Sequence, residues 1–256
     1  MRHTLVQKAF NVLRFYFRFG IDGSLYYIKE HSKRNKGELL EFRSKELKYP
    51  IIMRKGTSDF KVFIQVIYEL SYRIFLKDKP EVIIDCGANI GLATVYFKQR
   101  YPNAKIYAIE PDLENYNILC KNIQPYTGIE TLRGGIWHKE TDLLISNTVA
   151  ESWGFRVEES EKKCADTISA YSLSYIMKKY GIQQIDLLKI DIEGAEKNIF
   201  EEDCDYWLSR TKTLIIETHD GIVKGSTKTL FRALEKYDYH CIPSGENFLI
   251  YFEVAK

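Results

Sequence analysis

No apolar run in this 256-residue chain approaches the ~20 residues that a membrane-spanning helix needs, so an integral membrane protein is not expected. The opening residues 1–10 lack the long apolar centre and small-residue cleavage site of a secretory leader. Five scattered cysteines, Cys86, Cys120, Cys164, Cys204 and Cys241, include no close-spaced pair, which disfavours a disulfide framework or a zinc site. A reducing cytoplasm is the expected compartment. Internal repeats and low-complexity tracts are missing too, and no charge of one sign dominates, with 37 Lys plus Arg against 35 Asp plus Glu. Nucleic acid is not an expected partner. What remains is enough chain for one large α/β domain with an N-terminal extension.

The even total conceals an asymmetry. Residues 1–61 hold 14 Lys plus Arg against 6 Asp plus Glu, whereas the rest hold 23 against 29. The entry segment, with its Phe15-Tyr16-Phe17-Arg18-Phe19 cluster, admits two readings. It packs on the domain as a helix whose cationic heads stay in water, or it lies on an anionic membrane surface, in this case the inner face. The oligomeric state is not legible.

Apolar residues at helical spacing predict helices over 4–19 and 24–34, and an extended stretch over 42–52. Lys55-Gly56 is a turn signal, and Thr57 or Ser58 is the expected N-cap of an amphipathic helix over 60–75. Lys77-Asp78-Lys79-Pro80 is the expected boundary between an extension (1–79) and a core (80–256). In the core, strands are expected near 82–85, 105–109, 129–133, 185–190 and 212–217. Helices are expected near 90–100, 112–123, 166–180 and 226–237. Alternation of this kind predicts a mostly parallel sheet covered on both faces. The runs at 239–242 and 248–252, joined by Pro243 to Asn247, predict a terminal antiparallel hairpin.

One further absence narrows the ligand class. After the apolar run Val82-Ile83-Ile84 the turn reads Asp85-Cys86-Gly87-Ala88-Asn89-Ile90-Gly91, not the G-x-G-x-x-G of a dinucleotide site. Glycines at 87 and 91 permit a sharp turn and close backbone approach. Glu110, nineteen residues past Gly91, falls where an acidic side chain meets ribose hydroxyls. Asp85 would repel a pyrophosphate and attract the ammonium or sulfonium of S-adenosylmethionine, to which Asn89 offers both a donor and an acceptor. The alternative is a structural turn with Asp85 as a helix cap.

Other polar motifs fall at the ends of other expected strands, where ligands bind in open parallel sheets. Lys189, Asp191 and Glu193 share one side if their strand persists, and Lys189 is either catalytic or half of a buried ion pair that fixes register. His219, flanked by Glu217 and Asp220, is a candidate general base or a structural histidine. Asp191, Glu217 and His219 have suitable ligand types for a divalent cation, although their spacing specifies none.

These segments, with Ala108-Ile109-Glu110-Pro111-Asp112, Leu188-Lys189-Ile190-Asp191-Ile192-Glu193-Gly194-Ala195-Glu196 and Ile215-Ile216-Glu217-Thr218-His219, make the chain resemble the FkbM-type S-adenosylmethionine-dependent methyltransferases over about 50–253. The resemblance implies a class I, Rossmann-like α/β fold with a seven-stranded sheet and the hairpin at its antiparallel edge. It implies that Asp85, Gly87, Ala88, Asn89 and Gly91 hold the methionyl part of the cofactor, and Glu110 with Pro111 the ribose. The segment containing Ile136 and Trp137 would border the adenine. Trp137 departs from the small residues common there, and either stacks on the ring or fills core. Asp191, Glu193, Glu217 and His219 would face the acceptor, with Asp191 also near the cofactor. Thr57, Ser58, Asp59 and Lys189 would border the substrate or its lid. O-methylation of a sugar, glycolipid, polysaccharide or natural-product hydroxyl is the implied reaction. A catalytically silent nucleoside binder or partner-recruiting protein is the competing reading.

Overall fold

The computed structural model describes residues 5–32, 35–147, 155–159, 167–202 and 204–253; Cys164 and the outermost positions of the helices expected at 4–19, 24–34 and 166–180 lie outside them. Helix α1 (Leu5–Glu30) joins the two helices expected from periodicity, interrupted only at Gly20, whose φ of 75° a glycine adopts without strain. A hairpin of β1 (Leu39–Phe42) and β2 (Ile51–Arg54) follows. Helix α2 (Asp59–Phe63) runs into a π turn over Ile64–Tyr68. The amphipathic stretch expected to reach Phe75 therefore ends early, and Leu70, at φ 59°, redirects the chain. Ser58 occupies the N-cap position without a side-chain cap bond, while Thr57 Oγ1 accepts from the Asp59 N–H at 3.2 Å.

The core continues as β3 (Val82–Cys86), α3 (Leu92–Arg100), β4 (Lys105–Glu110), α4 (Leu113–Ile123) and β5 (Ile129–Arg133). Then come β6 (Gly135–Ile136), β7 (Thr141–Asn147), β8 (Phe155–Glu159), β9 (Thr167–Tyr171), α5 (Leu173–Tyr180) and β10 (Leu187–Ile190). Last are α6 (Glu196–Glu201), α7 (Asp205–Leu208), β11 (Thr213–Glu217), α8 (Ser226–Leu234), β12 (Tyr239–Ser244) and β13 (Asn247–Phe252). Seven strands form one sheet in the order β12-β13-β11-β10-β3-β4-β5, with β13 antiparallel to β11 and β12 antiparallel to β13. The other five are parallel. This is the class I, Rossmann-like arrangement expected.

Alternation along the central strands divides the core into two faces. Ile83, Ile106, Leu187 and Ile215 pack on one side, in a cluster continuous with Phe15, Phe19 and Tyr27 of α1. Their neighbours Ile84, Tyr107, Leu188 and Ile216 pack on the other, against Ile176 of α5 and Leu230 of α8. Apolar residues at every position of a strand are what burial on both faces demands.

Two expectations change. The helix expected from 166 gives way to a strand at Thr167–Tyr171, and α5 begins only after Ser172, whose Oγ accepts from the Tyr175 N–H at 3.0 Å. That strand belongs to a second sheet, β6-β9-β7-β8, which the sequence reading did not anticipate. In the terminal hairpin Ser244 pairs with Asn247, so the turn is only Gly245-Glu246 and Pro243 lies within β12. Proline is tolerated there because β12 is an edge strand.

Candidate functional site

The chain runs from β3 outward to β4 and β5, then returns to place β10 on the opposite side of β3. Ligand crevices open at such reversals, beyond the carboxyl ends of the strands. A cavity of about 810 Å³ lies there, bordered by Gly87, Glu110, Asp191 and His219 from the strand ends and by Gln65 and Tyr72 from the layer that follows α2.

Backbone geometry explains the first turn. The N–H groups of Gly87 and Ala88 both donate to the Ile109 carbonyl, at 3.0 and 2.9 Å. Gly87 has φ 76°, and a Cβ on it would stand 1.8 Å from the Asp191 carbonyl oxygen. Any other residue would drive β3 and β10 apart. Gly91 serves elsewhere: it starts α3, and a Cβ there would meet Leu119 Cδ1 at 2.6 Å. It does not border the cavity, whereas Ala88 and Asn89 do. Asn89 sits at φ 50°, its Oδ1 accepting from the Ile90 N–H at 2.7 Å.

Glu110, 5% exposed, lines the cavity beside Pro111. Its Oε2 accepts from the Asn89 N–H at 2.7 Å and its Oε1 from the Asp112 N–H at 3.0 Å. Burial pushes its pKa up to about 7 against the pull of those hydrogen bonds. The same carboxylate therefore ties the turn after β3 to the end of β4 and faces the cavity.

Asp85 requires a correction. It has no exposed surface and does not border the cavity; its Oδ2 accepts from Thr94 Oγ1 at 2.6 Å, and its Oδ1 stands 3.2 Å from Lys189 Nζ. Its charge is thus directed at an internal cation and not at a ligand. Lys189 is the residue that reaches the cavity, donating to the Gly87 carbonyl at 2.7 Å and standing 3.7 Å from Asp191 Oδ2. Burial pulls its ammonium down, but Asp85, Tyr72 and Asp191 hold it well above the ordinary lysine range.

His219 gathers the carboxylates at the other end of the cavity. Its Nε2 lies 3.5 Å from Glu217 Oε1, 3.7 Å from Glu193 Oε2 and 3.8 Å from Asp191 Oδ1. Its Nδ1 is 2.7 Å from Oε1 of Glu196, a carboxylate with no exposed surface. Burial opposes a charge on His219, yet the Glu196 bond and the charges of Glu196, Glu193 and Asp191 push its pKa up to about 9. Burial and the Asp191 charge push both Glu193 and Glu217 up to about 7. One oxygen each from Asp191 and Glu217 and a ring nitrogen of His219 lie within 4.8 Å of one another, a set able to hold a metal ion.

Ile136, with Gly134 and Gly135, borders the cavity. Trp137 does not: it is buried against Leu143, Ala170 and Ala195, which resolves its two readings in favour of core. Thr57, Ser58 and Asp59 also stand away from the cavity. Asp59 is fully buried and accepts from Arg54 at the backbone N–H (2.7 Å), Nε (3.0 Å) and Nη2 (2.8 Å). The roof comes instead from the following turns, where Gln65 Nε2 donates to Glu246 Oε2 at 3.0 Å across the chain. Sequence reading missed Glu196, Gln65, Tyr72 and Glu246 as site residues. Glu196 alone carried a signal, an acidic residue closing the motif that begins at Leu188.

The model of the methyltransferase FkbM domain matches residues 85–241. Methyltransferase sdnD of Sordaria araneosa is 28% identical over 191 residues, which cover 61% of this chain and 73% of that one. The 2-O-methyltransferase NoeI of Sinorhizobium fredii (strain NBRC 101917 / NGR234) is 24% identical over 190 residues, covering 68% and 73%. The crystal structure of methyltransferase FkbM from Methylobacillus flagellatus KT superposes with a TM-score of 0.50 at 18% identity, covering 75% of this chain and 48% of that one, a likeness of fold.

Proposed function

Because the chain belongs to the methyltransferase FkbM family, we propose that it is an S-adenosylmethionine-dependent O-methyltransferase acting on a hydroxyl of a sugar, a glycolipid, a polysaccharide or a natural product. One observation carries the reading: a single cavity joins the glycine turn and Glu110 to the cluster of Asp191, Glu217 and His219. A volume of about 810 Å³ is at the upper end of ligand pockets, roughly 300–1,000 Å³, and leaves room for cofactor and acceptor together.

The residues fit the cofactor in kind. All of them line the cavity: the Glu110 carboxylate would suit the ribose hydroxyls, Ala88 and Asn89 would hold the methionyl end, and Gly134 to Ile136 would offer a small, apolar wall for the adenine. The bound cofactor supplies an activated methyl group. The chain's own task is to hold the acceptor oxygen in line and to take its proton, positioning alone being worth roughly 7–11 kcal/mol. With a pKa of about 9, His219 is protonated near neutrality, so its role is to orient the hydroxyl and hold the carboxylates. Glu217 and Glu193 are both pushed up to about 7 and both border the cavity; we take Glu217, the nearer to His219 Nε2 at 3.5 Å, as the proton acceptor. Glu217 is thus a different residue from His219 and Asp191, the candidate bases read from the sequence. A second reading rests on the spacing of Asp191, Glu217 and His219, which suits a divalent cation that would polarise the hydroxyl directly.

Calorimetric titration with S-adenosylmethionine and with NAD, followed by transfer of labelled methyl to a panel of sugar hydroxyls, tests the proposal. Binding of NAD alone would sink it, and cofactor binding without transfer to any acceptor would favour the silent-binder reading. Turnover lost on chelation and restored by magnesium or manganese would select the cation over the Glu217 route.

A further inference from the structure

The outward face of α1 is more apolar than a water-exposed helix surface should be. Of the twelve large apolar side chains that stand exposed among the described residues, eight belong to this helix. Val6, Phe10, Leu13 and Phe17 recur at intervals of four, three and four, so they form one stripe, with Val6 and Phe17 80% and 81% exposed. Phe15 and Phe19 on the opposite side are buried in the core. The helix is therefore apolar on two faces, and the described residues cover only one. Patches of this kind mark interaction surfaces.

Charge identifies the occupant. Lys8, Arg14 and Lys29 are exposed on the same helix. Beside its kink, a groove of about 380 Å³ is bordered by Ile21, Arg43, Lys45 and Lys48, with Asp22 the one acidic side chain. An apolar stripe alone would suit a second copy of the chain. Pairing two copies through this face would also bring two basic regions together, in a segment with 14 Lys plus Arg against 6 Asp plus Glu. A surface that is apolar within and anionic at its boundary satisfies both features. No helix among the described residues is long and apolar enough to cross a membrane, so the contact lies along the surface.

We propose that α1 docks in the plane of an anionic lipid bilayer, with Phe10 and Phe17 entering the headgroup boundary and Lys45 and Lys48 meeting lipid phosphates, while Arg43 is paired with Glu41. The buried face of α1 then transmits this placement to the site. Phe15 stacks on Phe60 and Tyr68, and the helical segment between those two carries Lys61 and Gln65 into the cavity wall. The cavity is thus held one helix layer from the bilayer, within reach of an acceptor carried on a lipid. Docking itself does not depend on the methyl-transfer reading.

The test is co-sedimentation of the full chain with phosphatidylcholine vesicles prepared with and without phosphatidylglycerol. Binding to the anionic vesicles is expected, weakening with salt, and at least tenfold weaker for Phe10→Ser/Phe17→Ser and for Lys45→Glu/Lys48→Glu. Calorimetric affinity for S-adenosylmethionine should be unchanged in both variants, which separates lost docking from lost folding and from failure of the functional reading. Equal binding to neutral vesicles, or none to either, overturns the proposal. So does a salt-stable dimer in sedimentation that Phe10→Ser/Phe17→Ser dissolves, because the stripe would then be a contact between copies.

Discussion

His219 Nδ1 and Glu196 Oε1 are 2.7 Å apart, and the carboxylate is fully buried. That contact fixes the ring and keeps Nε2 directed at Asp191, Glu193 and Glu217. Glu196→Gln should lower the His219 midpoint from about 9 toward its ordinary 6.5, by roughly one pH unit or more, as read by NMR titration of the imidazole. A midpoint unmoved by the substitution would mean that the other carboxylates alone support the charge. The raised pKa also stabilises the fold: the contribution is full below pH 6.5 and is lost as pH rises through about 9. The variant should show a shallower loss of stability over that window in denaturant titrations.

Division of labour between the two ends of the cavity is measurable. Glu110→Ala should weaken S-adenosylmethionine binding by roughly 10- to 100-fold, as expected for a charged hydrogen-bond acceptor. Glu217→Gln should leave that affinity within about twofold and lower turnover by ~10²- to 10⁴-fold. Similar losses of affinity in both variants would mean that the cavity is not divided this way.

Glu110 gives cofactor binding a pH dependence of known sign. Its pKa is raised by burial from 4.5 to about 7; if Glu110 holds the ribose as proposed, its ionised form would be the one that accepts from ribose hydroxyls while keeping its backbone bonds. Affinity should therefore rise as pH passes upward through about 7, and the rise should vanish in Glu110→Ala. Without cofactor the sign reverses for stability. The raised pKa favours the fold below pH 4.5 and the advantage disappears as pH climbs through about 7. Thermal unfolding across that range, with and without cofactor, reads both.

Gly87→Ala adds one methyl group in a place that has no space for it. The new Cβ would stand 1.8 Å from the Asp191 carbonyl oxygen, at a φ of 76° that disfavours side chains. Strain and overpacking together should cost on the order of 3 kcal/mol of stability. Gly181→Ala, at φ 67° but with open space around its Cβ, isolates the backbone term and should cost roughly 1–2 kcal/mol. Denaturant titrations of the two variants give both values.

The sheet and the glycine turn at the cavity were legible because their signals are local. An apolar β-branched run, a glycine turn and an acidic residue at fixed spacing each sit within one short segment, and the parallel order follows from alternation. The second sheet was hidden because the alternation in Thr167–Tyr171, with Ile168 and Ala170 between polar neighbours, runs for only five residues, and its pairing depends on β7 from elsewhere in the chain. Asp85 shows the deeper limit. Its residue type suggested a charged ligand, but the cation it meets is Lys189, a partner supplied by a strand that neighbours β3 only in space. Gln65 and Glu246 could be joined only by tertiary packing. No local period records which helix covers which turn.

Lys189 also bears on how two ligands communicate. Its ammonium donates to the Gly87 carbonyl in the glycine turn at 2.7 Å and stands 3.7 Å from Asp191 Oδ2 at the acceptor rim. One buried cation thus joins the glycine turn to Asp191, and if cofactor and acceptor bind at these two places as proposed, a shift at one should change the energy of the other. Such coupling is reciprocal: cofactor and acceptor should each alter the other's affinity by the same factor, and Lys189→Met should uncouple them in a two-ligand titration.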